Sequence, residues 1–140
     1  QCLDIEAEGR DLHLEELKAL HAAKTGALIR ASMQIGAYSA GADPEKSRYD
    51  ALSEVGDLIG LAFQIMDDVL DVTQSTDVLG KPAGSDEAQA KNTFPKLMGL
   101  EASRKEASDL LNKAIALLND NELATPTMIE LATRAVHRTY

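Results

Sequence analysis

The sequence predicts an all-α protein, an antiparallel bundle of about five substantial helices, on three observations. Apolar residues recur at helical spacing along most of the 140 residues, and no segment alternates as a strand would. Asp43-Pro44 and Thr125-Pro126 each combine an N-cap residue with proline at the first helical position. Aromatic residues are only 4% of the chain and tryptophan is absent, so Leu, Ile, Ala and Met must fill the core between helices.

Three helices are predicted in the first half of the chain. Residues 1–8 form the end of a helix that Gly9 closes. A second helix covers residues 14–39 and ends at Gly41. Its predicted core stripe comprises Leu17, Leu20, Ala27, Leu28, Ala31, Ile35 and Tyr38.

The third helix begins at Asp43-Pro44 and is predicted to end near Val72. It carries Gly56 and Gly60, four residues apart. A glycine costs up to about 1 kcal/mol inside a helix, so the close approach of another helix or of a ligand is the expected compensation.

The helical pattern breaks over residues 73–93, which we predict to be a loop that carries Lys81 and Lys91. A short helical turn follows Pro95, and a long amphipathic helix covers residues 102–121. Its core face comprises Leu110, Leu111, Ala114, Leu117 and Leu118. Thr125-Pro126 begins a last helix, and residues 1–140 are predicted to form a single helical unit.

Charge and composition restrict the partners and the compartment. The formal net charge of −9 disfavours nucleic acid and anionic membranes. Cys2 is the only cysteine, which excludes an internal disulfide and fits a reducing, cytoplasmic compartment. No apolar run reaches 18 residues, so we expect no membrane insertion.

The segment Phe63–Asp71 carries the strongest functional signal. Gln64, Asp67, Asp68 and Asp71 have helical spacing and share one face, between apolar neighbours. Like charges at this spacing repel, so a bound cation is expected, and oxygen ligands with room for water suit Mg²⁺. The alternative interpretation is a solvated acidic face or a helix N-terminus.

Three lysines complete the pattern. Lys24, followed by Thr25, lies mid-helix at the border of the apolar stripe, where a lysine often extends its charged end to solvent. Lys81 and Lys91, taken alone, are surface lysines of a loop that lacks the spacing of a nucleotide-binding P-loop. Together with the acidic cluster and Gln64, however, they indicate a diphosphate–Mg²⁺ site.

These motifs, in this order, resemble the C-terminal half of the trans-isoprenyl diphosphate synthases (polyprenyl synthetases), closest to bacterial farnesyl/geranylgeranyl diphosphate synthases. The matching segments are Gln1-Cys2-Leu3-Asp4, Lys24-Thr25-Gly26-Ala27-Leu28-Ile29, Phe63-Gln64, Asp67-Asp68-Val69-Leu70-Asp71, Gly80-Lys81 through Gly84, Asp86, Lys91, Thr93, Pro95 and Gly99-Leu100-Glu101-Ala102-Ser103-Arg104.

The resemblance implies a prenyltransferase of isoprenoid biosynthesis that condenses an allylic diphosphate with isopentenyl diphosphate, with Mg²⁺ as cofactor. Asp67 would bind Mg²⁺ directly, and Asp68 and Asp71 would hold the waters of the metal or fix its geometry. Lys24, Lys81 and Lys91 would bind the allylic diphosphate. Thr25, Gln64 and the carbonyl of Lys24 would present dipoles to the allylic carbocation. Gln1 and Asp4 would line the same cavity.

The chain also departs from that family. It has no counterpart of the first aspartate-rich motif, of the arginine pair after it, or of the basic residues that hold isopentenyl diphosphate. We therefore expect a C-terminal fragment of a larger, homodimeric prenyl synthase, inactive alone. The alternatives are a non-catalytic helical interaction subunit and another Mg²⁺–diphosphate enzyme on the same fold, such as a terpene cyclase; the lysines favour the synthase.

Overall fold

The computed structural model describes residues 10–41, 47–79 and 92–137, without the side chains of 74–79. Within these residues every regular element is helical, which confirms the all-α prediction. In chain order they are α1 (Leu14–His21), a π-helical segment (Ala22–Gly26), α2 (Ala27–Ser39), α3 (Ser47–Leu79), α4 (Phe94–Met98), α5 (Leu100–Asp120) and α6 (Pro126–Val136). The predicted helix in residues 1–8 and the Asp43-Pro44 cap lie outside the described residues.

α3 is the central helix, since α1, α2, α4, α5 and α6 all pack against it. Its core residues recur every three or four positions, as a helix buried along one face requires; they are Ala51, Val55, Ile59, Ala62, Ile65 and Val69. α5 presents the predicted face, with Leu117 half-buried and Leu110, Leu111, Ala114 and Leu118 buried. The long amphipathic helix is therefore confirmed.

The cap predicted at Thr125-Pro126 is confirmed, and the structure adds an N-cap at Thr93 that was not predicted. Thr125 Oγ1 accepts the Met128 backbone N–H at 3.2 Å, and Pro126 occupies the first turn of α6. Thr93 Oγ1 accepts the Lys96 N–H at 3.4 Å before the short helix α4. Gly41 ends the α2 segment with φ of 81°, the left-handed region that glycine adopts without a steric cost.

The predicted start of the loop at Thr73 is wrong, because α3 continues to Leu79. Thr73 Oγ1 donates back to the carbonyls of Val69 at 2.9 Å and Leu70 at 3.1 Å, so this β-branched polar residue stays inside the helix. Residues 73–79 contain no glycine or proline that would end the helix. The break in hydrophobic pattern therefore does not mark the end of the helix.

The predicted core stripe of the second helix is also wrong in its second half. Leu28, Ile35 and Tyr38 are 69%, 66% and 68% exposed. They lie on the side of α2 opposite to its contact with α3. The contacts with α3 are made instead by Gly26, Arg30 and Gln34, and Ile29 and Met33 pack partly buried against the core.

Backbone contact between α2 and α3 explains Gly56 and Gly60. A Cβ atom on Gly56 would lie 2.7 Å from Arg30 Cα, and one on Gly60 would lie 2.7 Å from Gly26 Cα. Gln34 Nε2 also donates to Ser53 Oγ at 2.8 Å, so the pairs 26–60, 30–56 and 34–53 run antiparallel. The expected close approach of a second helix is confirmed.

Gly60→Ala should lower the free energy of unfolding of the 140-residue chain by about 1–3 kcal/mol, because the added methyl group forces the two backbones apart. Gly36→Ala is the matched control: a Cβ there meets nothing within 4 Å. The control should be neutral or stabilising by up to about 1 kcal/mol, since alanine favours the helix. Urea unfolding measures both, and a Gly60→Ala chain as stable as the control would contradict the packing account.

Candidate diphosphate and metal site

The candidate site lies where the end of α1 and the π-helical segment cross the aspartate-bearing part of α3. His21, the last residue of α1, places Nδ1 3.0 Å from Oε1 of Gln64. Gln64 is 6% exposed, so its amide is buried and needs this partner. This contact extends the antiparallel series by one more pair, 21–64.

The π-helical segment compensates for a mismatch in that series. His21 and Gly26 are five residues apart, whereas their partners Gln64 and Gly60 are four apart. In a regular α-helix a spacing of five turns the two side chains about 140° apart. The wider π turn keeps both positions toward α3, and π turns recur at functional sites.

Lys24 and Thr25 occupy this π-helical segment, with Lys24 exposed and Thr25 half-buried. The contacts of His21 and Gly26 with α3 lie on either side of them along the chain. The structure therefore holds the lysine–threonine pair beside the helix that carries the aspartates. That Lys24 and Asp67 face one cavity remains a prediction.

The three aspartates differ in their surroundings. Asp68 has two contacts with other elements: its Oδ2 accepts the Phe94 backbone N–H at 2.9 Å and lies 3.8 Å from His21 Nε2. The His21 ring stacks on Phe94, with centroids 5.5 Å apart. Asp67 and Asp68 are both half-buried and Asp71 is exposed, so the acidic face reaches solvent at Asp71.

Burial raises the pKa of Asp68 above the ordinary value of 3.8. The Phe94 N–H and the neighbouring His21 act in the opposite direction, while the charges of Asp67 and Asp71 add to the increase. Desolvation is the largest of these effects, so an ionised Asp68 is held in the folded protein at a cost in free energy.

The raised pKa predicts how stability depends on pH. The folded Asp68 binds its proton more tightly than the unfolded one, so its stabilisation is complete below pH 3.8 and is lost as pH rises through the higher folded pKa. Asp68→Asn keeps an oxygen for the Phe94 N–H and cannot ionise.

The difference in unfolding free energy, wild type minus Asp68→Asn, should therefore increase as pH falls from neutrality toward 4. Denaturant unfolding at several pH values measures this difference, in which the other titrating groups largely cancel. A difference that is constant or falls on acidification would contradict the burial of this carboxyl.

The acidic face fits Mg²⁺ in its donor chemistry. In the described part of the chain no three His, Cys, Asp or Glu side chains converge on one metal position. Mg²⁺ needs no such cage, because it is usually held by one or two carboxylates, waters and substrate phosphates. Asp67 and Asp71, one helical turn apart, can supply those carboxylates.

A second set of contacts fixes the segment that follows Lys91 in sequence. Asn92 Oδ1 accepts the Leu12 N–H at 3.0 Å, and Asn92 Nδ2 donates to the Arg10 carbonyl at 2.8 Å. Two residues later, Phe94 donates to Asp68. The segment that begins at Asn92 is therefore in contact with α3, the helix that carries the aspartates.

Four predicted site residues, Gln1, Asp4, Lys81 and Lys91, lie outside the described residues. Two residues that the sequence did not single out, His21 and Phe94, contact the site directly. His21 lies three positions before Lys24, and this helical spacing could have drawn attention to it. Nothing in the sequence connects Phe94 with Asp68, because 26 residues separate them.

The fold and the site thus define an all-helical protein in which a lysine–threonine segment packs beside an aspartate-rich helix. Comparison with known proteins agrees: the polyprenyl synthetase family profile matches residues 1–131. The chain belongs to the polyprenyl synthetase family. None of the described helices combines the length and apolarity needed to cross a membrane.

Individual relatives give the same result. The chain is 43% identical to farnesyl diphosphate synthase from Escherichia coli K12 over 141 residues, covering 99% of this chain and 47% of that protein. It is 47% identical over 118 residues to the large subunit 1 of a heterodimeric chloroplastic geranylgeranyl pyrophosphate synthase from Arabidopsis thaliana, covering 81% of this chain and 31% of that protein.

Among solved structures, geranyltransferase from Helicobacter pylori, crystallised with magnesium and isoprenyl diphosphate, superposes with a TM-score of 0.74 at 34% identity. The match covers 97% of this chain and 44% of the Helicobacter chain. The chain therefore spans less than half the length of the relatives described here.

Proposed function

We propose that these residues form the C-terminal half of a Mg²⁺-dependent prenyltransferase, which joins an allylic diphosphate to isopentenyl diphosphate. The observation that carries the proposal is the His21–Gln64 contact at 3.0 Å. It holds the lysine–threonine segment beside the aspartates, which supports one site for a cation and a diphosphate. The names of the relatives, farnesyl diphosphate and geranylgeranyl pyrophosphate synthases, support the substrate class.

Each candidate site residue has a role in this proposal. Lys24, Lys81 and Lys91 neutralise phosphate oxygens of the allylic substrate, and Gln1 and Asp4 line the same cavity. Asp67 and Asp71 hold Mg²⁺, which when bound supplies positive charge that favours departure of the diphosphate. Asp68, tied to Phe94, fixes the geometry of the acidic face.

The reaction that these groups support begins with breakage of the allylic carbon–oxygen bond. Thr25, Gln64 and the carbonyl of Lys24 present the negative ends of their dipoles to the developing carbocation. The Gln64 oxygen retains a second lone pair beside its bond to His21. Fixed dipoles in a site that excludes water stabilise such charge without reorganisation. Isopentenyl diphosphate then attacks, and the released diphosphate takes up the lost proton.

The exposed apolar face of α2, formed by Leu28, Ile35 and Tyr38, supports the proposal that another part of a synthase fold packs here. The relatives are about twice as long as the matched segment, so a covering element of suitable size exists in them. We further propose that the complete protein is a cytoplasmic homodimer and that these 140 residues alone are inactive, because half of the metal site would lie in the other half of the fold.

Prenyl transfer in the complete synthase tests this function. By complete synthase we mean this chain joined to the other half of the fold, in its natural protein or in place of the matching segment of the E. coli farnesyl diphosphate synthase. With Mg²⁺, labelled isopentenyl diphosphate and geranyl diphosphate, it should form a longer prenyl diphosphate, and the isolated chain should not. A well-folded complete synthase that forms no product would overturn the proposed function.

A further inference from the structure

We infer that His21 is a positioning residue, which fixes the amide of Gln64 and the carboxylate of Asp68 for the reaction. The inference rests on the proposed function, and it adds a role for a residue outside the lysine and aspartate motifs. His21 does not need to touch the substrate, because it acts through the two side chains that its ring contacts.

The ring of His21 is enclosed by three partners. Nδ1 meets Gln64 Oε1 at 3.0 Å, and the ring face stacks on Phe94 at 5.5 Å between centroids. The buried Nε2 lies 3.8 Å from Asp68 Oδ2, close enough for an ion pair but too far for a hydrogen bond. The side chains of His21 and Asp68 are only 12% and 14% exposed. A ring that is contacted on three sides has little rotational freedom, so it can hold the neighbouring side chains in one orientation.

The hydrogen-bond chemistry fixes the orientation of the Gln64 amide. An amide oxygen can only accept, so Nδ1 of His21 carries the hydrogen that bridges to Oε1. Without that donor, the buried oxygen loses its partner and the amide gains freedom to turn over. The dipole offered to a carbocation would then have the wrong sign for part of the time.

The same contact fixes the backbone around Lys24. His21 and Gly26 are the contact points with α3 on either side of the lysine–threonine pair. The Gly26 contact depends only on backbone closeness, whereas the His21 contact depends on a side chain. Substitution of His21 therefore releases one end of the segment and leaves the helix crossing intact.

Three substitutions separate these effects in the complete synthase. His21→Phe keeps the stacking on Phe94 and removes both ring nitrogens. His21→Asn restores a donor near the position of Nδ1, and His21→Gln restores one near the position of Nε2. We expect His21→Phe to lower kcat by about 10-fold to 100-fold with little change in KM for isopentenyl diphosphate. His21→Asn should recover most of the loss, and His21→Gln less.

A second readout does not depend on turnover. In urea unfolding of the 140-residue chain, the double-mutant cycle of His21→Phe and Gln64→Leu should show a coupling of about 3-fold or more in the unfolding constant. This isolates the hydrogen bond from the loss of packing around each side chain.

The outcomes distinguish the inference from the function on which it rests. An active wild type with an unaffected His21→Phe variant would overturn the positioning role alone, as would equal losses in all three variants or additivity in the cycle. An inactive wild type would remove the proposed function and the reaction for which His21 is positioned. A kcat loss rescued by asparagine, with coupling in the cycle, supports the inference.

Discussion

Asp67→Ala in the complete synthase should lower kcat by a factor of about 10²–10³. In the proposed reaction this carboxylate would act through the metal as charge develops on the departing diphosphate, so its loss should raise the barrier more than it weakens substrate binding. Stability should change far less than turnover, since Asp67 is half-buried and does not belong to the hydrophobic core. Steady-state kinetics and urea unfolding of the same preparation measure both effects.

Asp57→Ala is the matched control for this variant. Asp57 lies on the same helix and pairs with Arg30 at 3.4 Å, with both side chains 45% exposed. An exposed ion pair contributes at most about 1 kcal/mol, so the control should change kcat little. A loss of several kcal/mol in stability for Asp67→Ala with normal turnover would mean that the aspartates form a structural polar network, as a non-catalytic interaction subunit would allow.

Phe94→Ala should lower the free energy of unfolding by about 3–5 kcal/mol. The side chain is fully buried, belongs to the main hydrophobic core and supports the face of the His21 ring. Its removal leaves a cavity beside the aspartate helix and loosens the backbone whose N–H binds Asp68. Urea unfolding of the 140-residue chain measures the loss.

Leu97→Ala provides the comparison, because Leu97 lies in the same short helix and is 38% exposed. Its truncation should cost less than half as much as that of Phe94, since less apolar surface returns to water. Equal effects of the two substitutions would show that α4 is not docked on the core as described.

Local signals predicted most of the helices, because they depend on neighbouring residues. Thr125-Pro126 marks the start of α6, and the spacing of Leu110, Leu111 and Leu118 marks the buried face of α5. The two glycines Gly56 and Gly60, four residues apart, also predicted the close contact with a second helix. In each case the residue type has one dominant physical reason to be there.

The failures share a different cause, which is that they depend on contacts distant in sequence. Leu28 and Ile35 satisfy the helical period, but only the position of the partner helix decides which side of α2 is covered. That helix, α3, packs on the side that carries Arg30. The π-helical segment follows from a five-against-four mismatch between paired residues, which no single helix reveals. The selection of Asp68 as the enclosed carboxylate depends on Phe94 in another element.

The aspartate motif itself was recognisable because charge in an apolar run is rare and costly. Their spacing alone did not distinguish the surroundings of the three carboxylates. Asp68 contacts Phe94 and His21, whereas Asp71 is exposed to solvent. We therefore propose direct metal contact for Asp67 and a geometric role for Asp68, as the family resemblance also implies.

The central claim is that Lys24 and the aspartates act on one Mg²⁺–diphosphate group. Calorimetric titration of the complete synthase with an unreactive allylic thiodiphosphate, with and without Mg²⁺, tests it most directly. Binding should require Mg²⁺ and weaken about 10-fold or more in both Lys24→Ala and Asp67→Ala. Lys18→Ala is the control, because Lys18 lies on α1 and pairs with Glu15 and Glu106. Binding that is independent of Mg²⁺, or that is unaffected by both substitutions, would contradict the claim.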